Sequence, residues 1–335
     1  MERRSFIKQS TLATAGLCLG ATDEPGLIGH GNFKYRLNRN WCKGSALQFP
    51  VNNCHELVMS RSGKIFMTTD DVRNNILIFD KDGQITGAWG KEYPGAHGLT
   101  LHDENGDEFL YISDYERHQV IKTTLEGKVI QTFEWPADGG FYRSQQAFKP
   151  TETAIAPNGD VLVADGYGKD YVVHYDHKGN LINVFGGPDI LKNAHGIAFD
   201  NRDKANPSWL VTSRAENKLK RFDLTGKLIE IIHLPGAYIC RPVVTGEHVY
   251  FAVLISELPW DSQTGFVCIL DKNNRVVSAP GARTPRYDSG GALKPLYQTV
   301  KAFKHPHDVL VDANGDIYVS QWNSGRVYPY RLEPQ

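Results

Sequence analysis

The chain has 335 residues and a nearly balanced charge, with 37 basic and 38 acidic residues and a formal net charge of −1. Because no basic block or aromatic-basic stripe occurs, nucleic acid is not an expected partner. No apolar run reaches the roughly twenty residues that span a bilayer, so we expect no integral membrane segment in the mature form. The 32 glycines and 15 tyrosines, beside only three methionines, fit turns and strands better than helices.

The first residues have the composition of an export signal. Residues 1–21 start with basic residues, continue with a short, weakly apolar run and end in small residues, as secretory signals do. The pair Arg3-Arg4 and the residues after it resemble the twin-arginine signal of bacterial export. We therefore expect a periplasmic or secreted protein, with residues 22–33 as a Gly-rich linker.

Six similar β-rich segments make up residues 34–335. The segment over residues 50–91 has four short β-runs separated by turns rich in Gly, Asp and Asn, and the same order recurs along the chain. Six such units predict a single all-β domain, a six-bladed β-propeller. The last unit has only three strands, so we expect an N-terminal strand near residues 34–41 to close the last blade.

Equivalent positions at the start of the innermost strands carry residues that indicate metal chemistry. These starts lie near one mouth of the central channel of a propeller, so their side chains converge. The six positions hold His55, His97, Thr151, His195, Arg241 and His307. Glu56, Glu152 and Asp308 lie next to three of them. Imidazole suits Zn, Cu, Fe or Ni, whereas carboxylates and carbonyls suit Ca²⁺. We predict a metal site on at least three of the four histidines, with Glu56 and Glu152 behind them.

Further groups lie near the same mouth. For Arg241 two interpretations stand, an ion pair with Glu56 or Glu152 and a contact with a substrate carboxylate. The second strands of two blades end at Tyr167 and Arg214. A phenolate can take a proton, and a guanidinium can bind a carboxylate, so both residues are candidates for catalysis.

The cysteines leave several arrangements open. Four of them follow the N-terminal signal: Cys42, Cys54, Cys240 and Cys268. An oxidising compartment permits disulfides, and four cysteines allow three full pairings, among which the sequence does not choose. Cys54 and Cys240 each precede an axial position, where a small buried residue also fits.

The blade pattern resembles the NHL-type repeat, and several motifs resemble the lyase domain of peptidylglycine α-amidating enzymes. These motifs are Ala96-His97-Gly98-Leu99, Phe148-Lys149-Pro150-Thr151-Glu152 with Asp165-Gly166-Tyr167, Ala194-His195 with Ser213-Arg214, and Pro306-His307-Asp308. The resemblance implies a zinc ion held by His97, His195 and His307. It also implies a structural calcium ion involving Asp308 and the backbone of Leu99.

The resemblance further implies a reaction. Lyases of this kind split the C–N bond of an α-hydroxyglycine and give an amide and glyoxylate. The metal holds the substrate hydroxyl, Tyr167 removes its proton as the base, and Arg214 is the partner of the tyrosine. His55 is a fourth axial histidine that the family pattern lacks.

Three functions remain open from the sequence. The first is an exported, metal-dependent lyase that acts as a monomer on a small-molecule or peptide substrate at the channel mouth. The second is an oxidative enzyme in which four histidines, with Glu56 and Glu152, hold Fe or Cu. The third is a non-catalytic NHL-like propeller that binds a peptide, a glycan or a partner protein.

Overall fold

The computed structural model describes residues 26–335, so the expected export signal in residues 1–21 lies outside the described part. Within residues 26–335, 25 strands form six antiparallel sheets, five with four strands and one with five. Each innermost strand contacts the innermost strand of the next sheet, and the sixth contacts the first. This closed ring confirms the predicted six-bladed β-propeller.

The strands follow the chain in the order that six repeats predict. The N-terminal segment contains β1 (Ile28–His30) and β2 (Phe33–Asn38). Blades 1 and 2 contain β3 (Cys54–Met59), β4 (Ile65–Thr69), β5 (Ile76–Phe79), β6 (Ile85–Trp89), β7 (Ala96–Glu104), β8 (Asp107–Asp114), β9 (Gln119–Thr124) and β10 (Val129–Phe133). Blades 3 and 4 contain β11 (Glu152–Ile155), β12 (Val161–Ala164), β13 (Tyr171–Tyr175), β14 (Leu181–Gly186), β15 (Ala194–Asp200), β16 (Ser208–Ser213), β17 (Lys218–Phe222) and β18 (Leu228–His233).

Blades 5 and 6 complete the ring. They contain β19 (Val243–Thr245), β20 (His248–Val253), β21 (Phe266–Leu270), β22 (Val276–Ser278), β23 (Pro306–Val311), β24 (Ile317–Gln321) and β25 (Tyr330–Pro334). Short 3₁₀ turns cover Ala137–Gly139, Gln145–Ala147 and Arg214–Glu216. No helix in the described residues is long and apolar enough to cross a membrane.

The N-terminal segment closes the last blade, as predicted. Strand β2 pairs with β25, with Leu37 opposite Leu332, so the sheet of blade 6 has the order β1-β2-β25-β24-β23. Trp41, which follows β2, is 2% exposed and donates its indole N–H to the carbonyl of Lys81 at 3.0 Å. The N-terminal segment therefore ties blade 6 to blade 1.

The interpretation of residues 22–33 as a linker needs correction from residue 28 onward. Strand β1 pairs with β2, and the amide of His30 donates to Ser278 Oγ at 2.9 Å. Gly29 has a φ of +101°, and a Cβ there would lie 2.1 Å from the carbonyl oxygen of Phe33. The glycine therefore permits a tight approach of two strands, which the Gly-rich composition alone does not distinguish from flexibility.

Burial follows the position of a strand within its blade. Every residue of β12 and β21 is buried, because the second and third strands of a blade are covered on both faces by neighbouring blades. In contrast, the outer strand β6 alternates between half-buried and exposed residues.

The four cysteines of the described residues are all free thiols, so none of the three pairings is present among them.

Candidate metal centre

Each axial histidine lies where the pairing between the first two strands of its blade changes register. The register shifts lie between Cys54 and Leu57, Ala96 and Gly98, Ala194 and Ile197, and Pro306 and Asp308. Such an irregularity turns a side chain out of the normal alternation of a strand. In each case the residue directly after the first position of the shift is a histidine, and all four histidines are at most 3% exposed.

The four imidazole rings form one contiguous cluster. The ring centroid of His97 lies 4.7 Å from that of His55, 4.7 Å from that of His195 and 4.8 Å from that of His307. The ring of His307 lies 4.9 Å from that of His55 and 5.0 Å from that of His195. The structure thus brings together all four histidines that the sequence places at the axis, including the three that the resemblance implies as zinc ligands.

Glycines after two of the histidines let the innermost strands approach closely. A Cβ on Gly98 would lie 2.6 Å from the carbonyl oxygen of Thr151, and one on Gly196 would lie 2.6 Å from the Cα of Arg241. Both separations are too short for a side chain, so glycine is needed where adjacent blades meet. The narrow channel that results holds the imidazole rings in contact.

Two sets of donor atoms in this cluster could hold a metal ion, and they share His307. One set is His55, His97 and His307, and the other is His195, Cys240 and His307. Within each set the donor atoms lie within 4.8 Å of one another. Imidazoles and thiolates are the usual ligands of zinc and copper, so the donor chemistry fits a transition metal.

Cys240 is a candidate ligand that the sequence interpretation did not assign. Its thiol is fully buried, and burial raises its pKa to about 11, although the neighbouring Arg214 guanidinium lowers it. The only signal in the sequence is its place directly before the axial position 241. That signal does not distinguish a ligand from a small residue that fills space.

The hydrogen bonds of the imidazoles to backbone carbonyls leave lone pairs on the other ring nitrogens. His97 Nδ1 lies 2.8 Å from the carbonyl oxygen of Thr151, and His307 Nδ1 lies 3.3 Å from that of His55. Because a carbonyl only accepts, these Nδ1 atoms carry the protons and the Nε2 atoms keep their lone pairs. His195 Nδ1 and both ring nitrogens of His55 have no hydrogen-bond partner among the described residues. Buried polar atoms without partners are costly, and a bound ion would satisfy them.

The electrostatic environment keeps three of the four imidazoles neutral. Burial lowers the pKa of His97, His195 and His307 well below the usual 6.5, and the neighbouring histidines and Arg214 lower it further. Neutral imidazole is the form that binds a metal. Next to the cluster, Asp70 lies 3.6 Å from His55 Nε2, and its pKa is lowered by His55 and Asn53 against the opposing effect of burial.

For the metal-free protein, these pKa shifts predict stability that falls in acid. Below about pH 6.5 the unfolded chain takes up protons that the buried imidazoles do not, so the free energy of unfolding decreases by about 1.4 kcal/mol per pH unit for each such histidine. Buried carboxyl groups such as Asp308, whose pKa is raised to about 6, take up protons in the folded state over the same range, so the contribution of one histidine is the difference between the wild type and a histidine variant. Both are unfolded by denaturant after chelation, from neutral pH to about pH 5. In the variant His195→Gln the free energy of unfolding should change less steeply, by about 1.4 kcal/mol per pH unit, which is the contribution of one proton. An unchanged dependence on pH would contradict the prediction.

Tyr167 reaches the histidine cluster from the loop after β12. Its hydroxyl lies 3.1 Å from His97 Nε2 and 3.3 Å from His195 Nε2. Burial raises the pKa of the phenol, while the Arg214 guanidinium, whose Cζ lies 6.0 Å from the ring centroid, lowers it. Asp165 orders this loop, because its carboxylate accepts the backbone N–H of Lys169 at 2.7 Å.

Asn193 links Tyr167 and Arg214, and the sequence interpretation did not include it. Its Oδ1 accepts the Nε–H of Arg214 at 2.6 Å, and its Nδ2 donates to the carbonyl of Gly166 at 2.6 Å. Asn193 itself has a φ of +60°, a conformation that asparagine tolerates better than most residues. One side chain therefore fixes both the guanidinium and the loop that carries the phenol.

A cavity of about 300 Å³ opens beside these groups. Its lining consists of Tyr167, Arg214, Leu254, Trp260, His307 and Trp322. The Arg214 Cζ lies 5.3 Å from the ring centroid of Trp260, which comes from the long irregular loop of blade 5. No repeat pattern marks that loop, so its sequence does not predict that Trp260 lines the cavity. The cavity combines a guanidinium, a phenol and an imidazole with apolar walls.

Arg241 lies in a separate buried cluster deeper in the channel. Its Nε and Nη2 donate to the two carboxylate oxygens of Asp308 at 3.1 Å and 2.6 Å. Glu56 and Glu152 each have an oxygen 3.6 Å from a guanidinium nitrogen. Of the two sequence interpretations of Arg241, the ion pair is thus visible in the structure, and it includes Asp308. Burial raises the pKa of Asp308 to about 6, although Arg241 lowers it, and burial and Glu152 raise that of Glu56.

The calcium ion that the resemblance implies does not fit this arrangement. The Asp308 carboxylate accepts two N–H groups of Arg241, and the Leu99 carbonyl accepts a third at 3.0 Å. Both implied calcium ligands are therefore already occupied by a side chain that carries a positive charge.

Fold and site together define the chain as a six-bladed β-propeller with a buried histidine and cysteine cluster on its axis that could bind a metal ion. No protein-family model matches it. Its sequence is distantly related to those of the peptidyl-α-hydroxyglycine α-amidating lyases.

The relationship rests on partial matches. The chain is 25% identical over 274 residues to peptidyl-α-hydroxyglycine α-amidating lyase 1 of Drosophila melanogaster, covering 74% of this chain and 47% of that protein. It is 39% identical over 88 residues to a probable lyase of the same name from Caenorhabditis elegans, covering 26% of this chain and 24% of that protein. The chain thus spans about half the length, or less, of these relatives. A solved gluconolactonase from Xanthomonas campestris has a TM-score of 0.63 at 11% identity, covering 93% of this chain and 96% of its own, which shows the fold alone.

Proposed function

We propose that the chain is an exported, metal-dependent lyase that cleaves the C–N bond of an α-hydroxyglycine-type substrate to an amide and glyoxylate. One observation carries the proposal. The Tyr167 hydroxyl lies within hydrogen-bonding distance of two imidazoles of the buried cluster, beside Arg214 and an open cavity. The distant relationship to the amidating lyases supports the same reaction, and the twin-arginine sequence supports export.

Each group of the site has a role in this reaction. A bound zinc ion, held by one of the two donor sets that share His307, would supply a Lewis acid for the substrate oxygen. In its phenolate form, which the nearby Arg214 guanidinium and a bound cation would favour, Tyr167 accepts the proton of the α-hydroxyl, whose oxygen becomes the carbonyl oxygen of glyoxylate as the C–N bond breaks. The amide nitrogen leaves with the bonding electron pair and takes up a proton. The same number of atoms and charges appears on both sides, and no oxidant is required.

Arg214 explains why the substrate should carry a carboxylate. Its guanidinium lies at the cavity wall between the rings of Tyr167 and Trp260, and it is 6% exposed. A planar guanidinium binds a carboxylate through two parallel hydrogen bonds, and removal from water strengthens the contact. The carboxylate of a C-terminal α-hydroxyglycine would be held there, with its α-carbon close to the phenol.

The proposed reaction can be tested on the full chain. Protein purified without chelator should contain one transition-metal ion per chain and release glyoxylate from a peptide that ends in α-hydroxyglycine. The matched control substrate is the same peptide ending in glycine, which lacks the hydroxyl and should release none. If the metal-loaded protein releases no glyoxylate from the hydroxylated peptide, the proposal fails.

Oxidative chemistry with iron or copper is the second candidate. The observation that favours it is His55, which enlarges the cluster to four imidazoles and whose ring nitrogens have no hydrogen-bond partner among the described residues. Elemental analysis separates the two candidates, because zinc does not support redox chemistry whereas iron and copper do. A protein that binds no transition metal would exclude both and leave a binding propeller.

A further inference from the structure

Arg241 is surrounded by six oxygen atoms at the axis of the propeller. Its guanidinium donates to both carboxylate oxygens of Asp308, to the carbonyl of Leu99 and, through Nη2, to the carbonyl of Leu57 at 3.0 Å. One oxygen of Glu56 and one of Glu152 lie 3.6 Å away. These oxygens come from innermost strands of four blades, so the side chain joins blades that are distant in sequence.

The chemistry of these oxygens is that of a hard-cation site. Ca²⁺ takes six to eight oxygen ligands from carboxylates and backbone carbonyls, which are the groups present. The three carboxylates are 0% exposed. Glu56 Oε1 and Glu152 Oε2 have no hydrogen-bond partner among the described residues, so the cluster still has acceptor capacity after Arg241 has bound. One positive charge faces three carboxyl groups there.

We propose that the Arg241 guanidinium is a built-in cation that takes the place of a calcium ion on the channel axis. A guanidinium has five N–H donors in a fixed plane, and four N–H···O bonds are made here. The charge is covalently attached, so it is not lost when the calcium concentration falls. The inner channel is therefore held together without a calcium ion, whatever reaction the histidine cluster supports.

A mutation that removes the Arg241 guanidinium should allow a calcium ion to bind in its place. Arg241→Met removes the charge but keeps a long side chain, and it leaves six oxygens facing one another. Arg241 also lines a cavity of about 390 Å³ that is built from residues following the histidines along the innermost strands, so an ion could reach the site from that end. Arg241→Lys is the matched control, because it retains the charge but cannot bridge Asp308 and both carbonyls.

Thermal unfolding and metal content test the proposal by comparing a calcium buffer with an EGTA buffer. Because EGTA also binds zinc, free zinc is buffered to the same concentration in both. The unfolding temperature of the wild type should be the same in both buffers, and the wild-type protein should contain no calcium. Arg241→Met should be less stable in EGTA, and calcium should raise its unfolding temperature by ~3 °C or more. Arg241→Lys should be destabilised without responding to calcium.

Several outcomes would overturn the proposal. One is a wild-type protein that holds one calcium ion per chain and loses stability in EGTA. Another is a folded Arg241→Met variant that binds no calcium. If Arg241→Met folds only when calcium is present, the proposal is supported. If it folds in neither buffer, the wild type and Arg241→Lys decide, since calcium binding by either one would exclude a built-in cation.

Discussion

Replacement of His307 by alanine should remove most of the bound metal, because His307 belongs to both sets of donor atoms. Loss of one ligand from a three-ligand site leaves two donors, and we expect the affinity to fall by ~10²-fold or more, which is about 2.7 kcal/mol. Metal content after dialysis and competition with a chromophoric chelator would measure this. Enzyme activity that depends on the metal should fall with it.

His305 provides a matched control for this variant. It is also a buried histidine on the same segment, but its Nδ1 pairs with the carbonyl of Asn323, and it belongs to neither donor set. His305→Ala should therefore keep the metal. Equal metal content in the His307→Ala variant and the wild type would show that the cluster is not a metal site.

Cobalt substitution distinguishes the two donor sets. If the ion is held by His195, Cys240 and His307, cobalt-substituted protein should show a thiolate-to-metal absorption band that disappears in Cys240→Ser. If His55 and His97 hold it with His307, that band is absent and His55→Ala loses the ion. Each result assigns the ion to one set and excludes the other.

The second large effect is expected from Tyr167→Phe. Phenylalanine keeps the ring that packs against Tyr115, whose centroid lies 5.5 Å away, but it lacks the hydroxyl next to His97 and His195. If the phenol is the general base, glyoxylate release should slow by ~10²-fold or more. The metal content should not change.

Tyr115→Phe is the control for the loss of a hydroxyl from this mouth of the channel. Tyr115 contacts Tyr167 through its ring, and we expect a change in rate of less than about threefold, since only a group that transfers the proton contributes by general-base catalysis. A Tyr167→Phe variant with full activity would remove Tyr167 from the mechanism. A variant that lost its metal instead would make Tyr167 a residue that holds the ion.

Repetition made much of the fold accessible from the sequence. Four short strands between turns recur six times, and equivalent positions in a closed repeat must meet at the axis. This is why the sequence alone predicts that four histidines from blades 1, 2, 4 and 6 lie together. The last unit lacks a strand, which likewise predicts that an N-terminal strand completes the blade, as β2 does by pairing with β25.

Contacts between non-equivalent positions were not accessible in the same way. Cys240 joins a donor set from the position before the axial one, and the repeat does not say which way its side chain turns. The pairing of Arg241 with Asp308 and the Leu99 carbonyl depends on how far a long side chain reaches across the channel. Asn193 is a single residue with a left-handed backbone conformation, and no strand pattern in the sequence indicates such a residue.

The seam of the ring has a consequence for when the metal site can form. His307 Nδ1 bonds the carbonyl of His55 across 252 positions of the chain, so donors from blade 1 and blade 6 come together only after the last strand has docked. Contacts of such long range are slow to form, because the entropy of closing the loop is lost before the contact stabilises the chain. The ion would therefore bind after the last blade has formed. Because it would bind only the closed ring, it would stabilise the contact between blade 1 and blade 6 against opening.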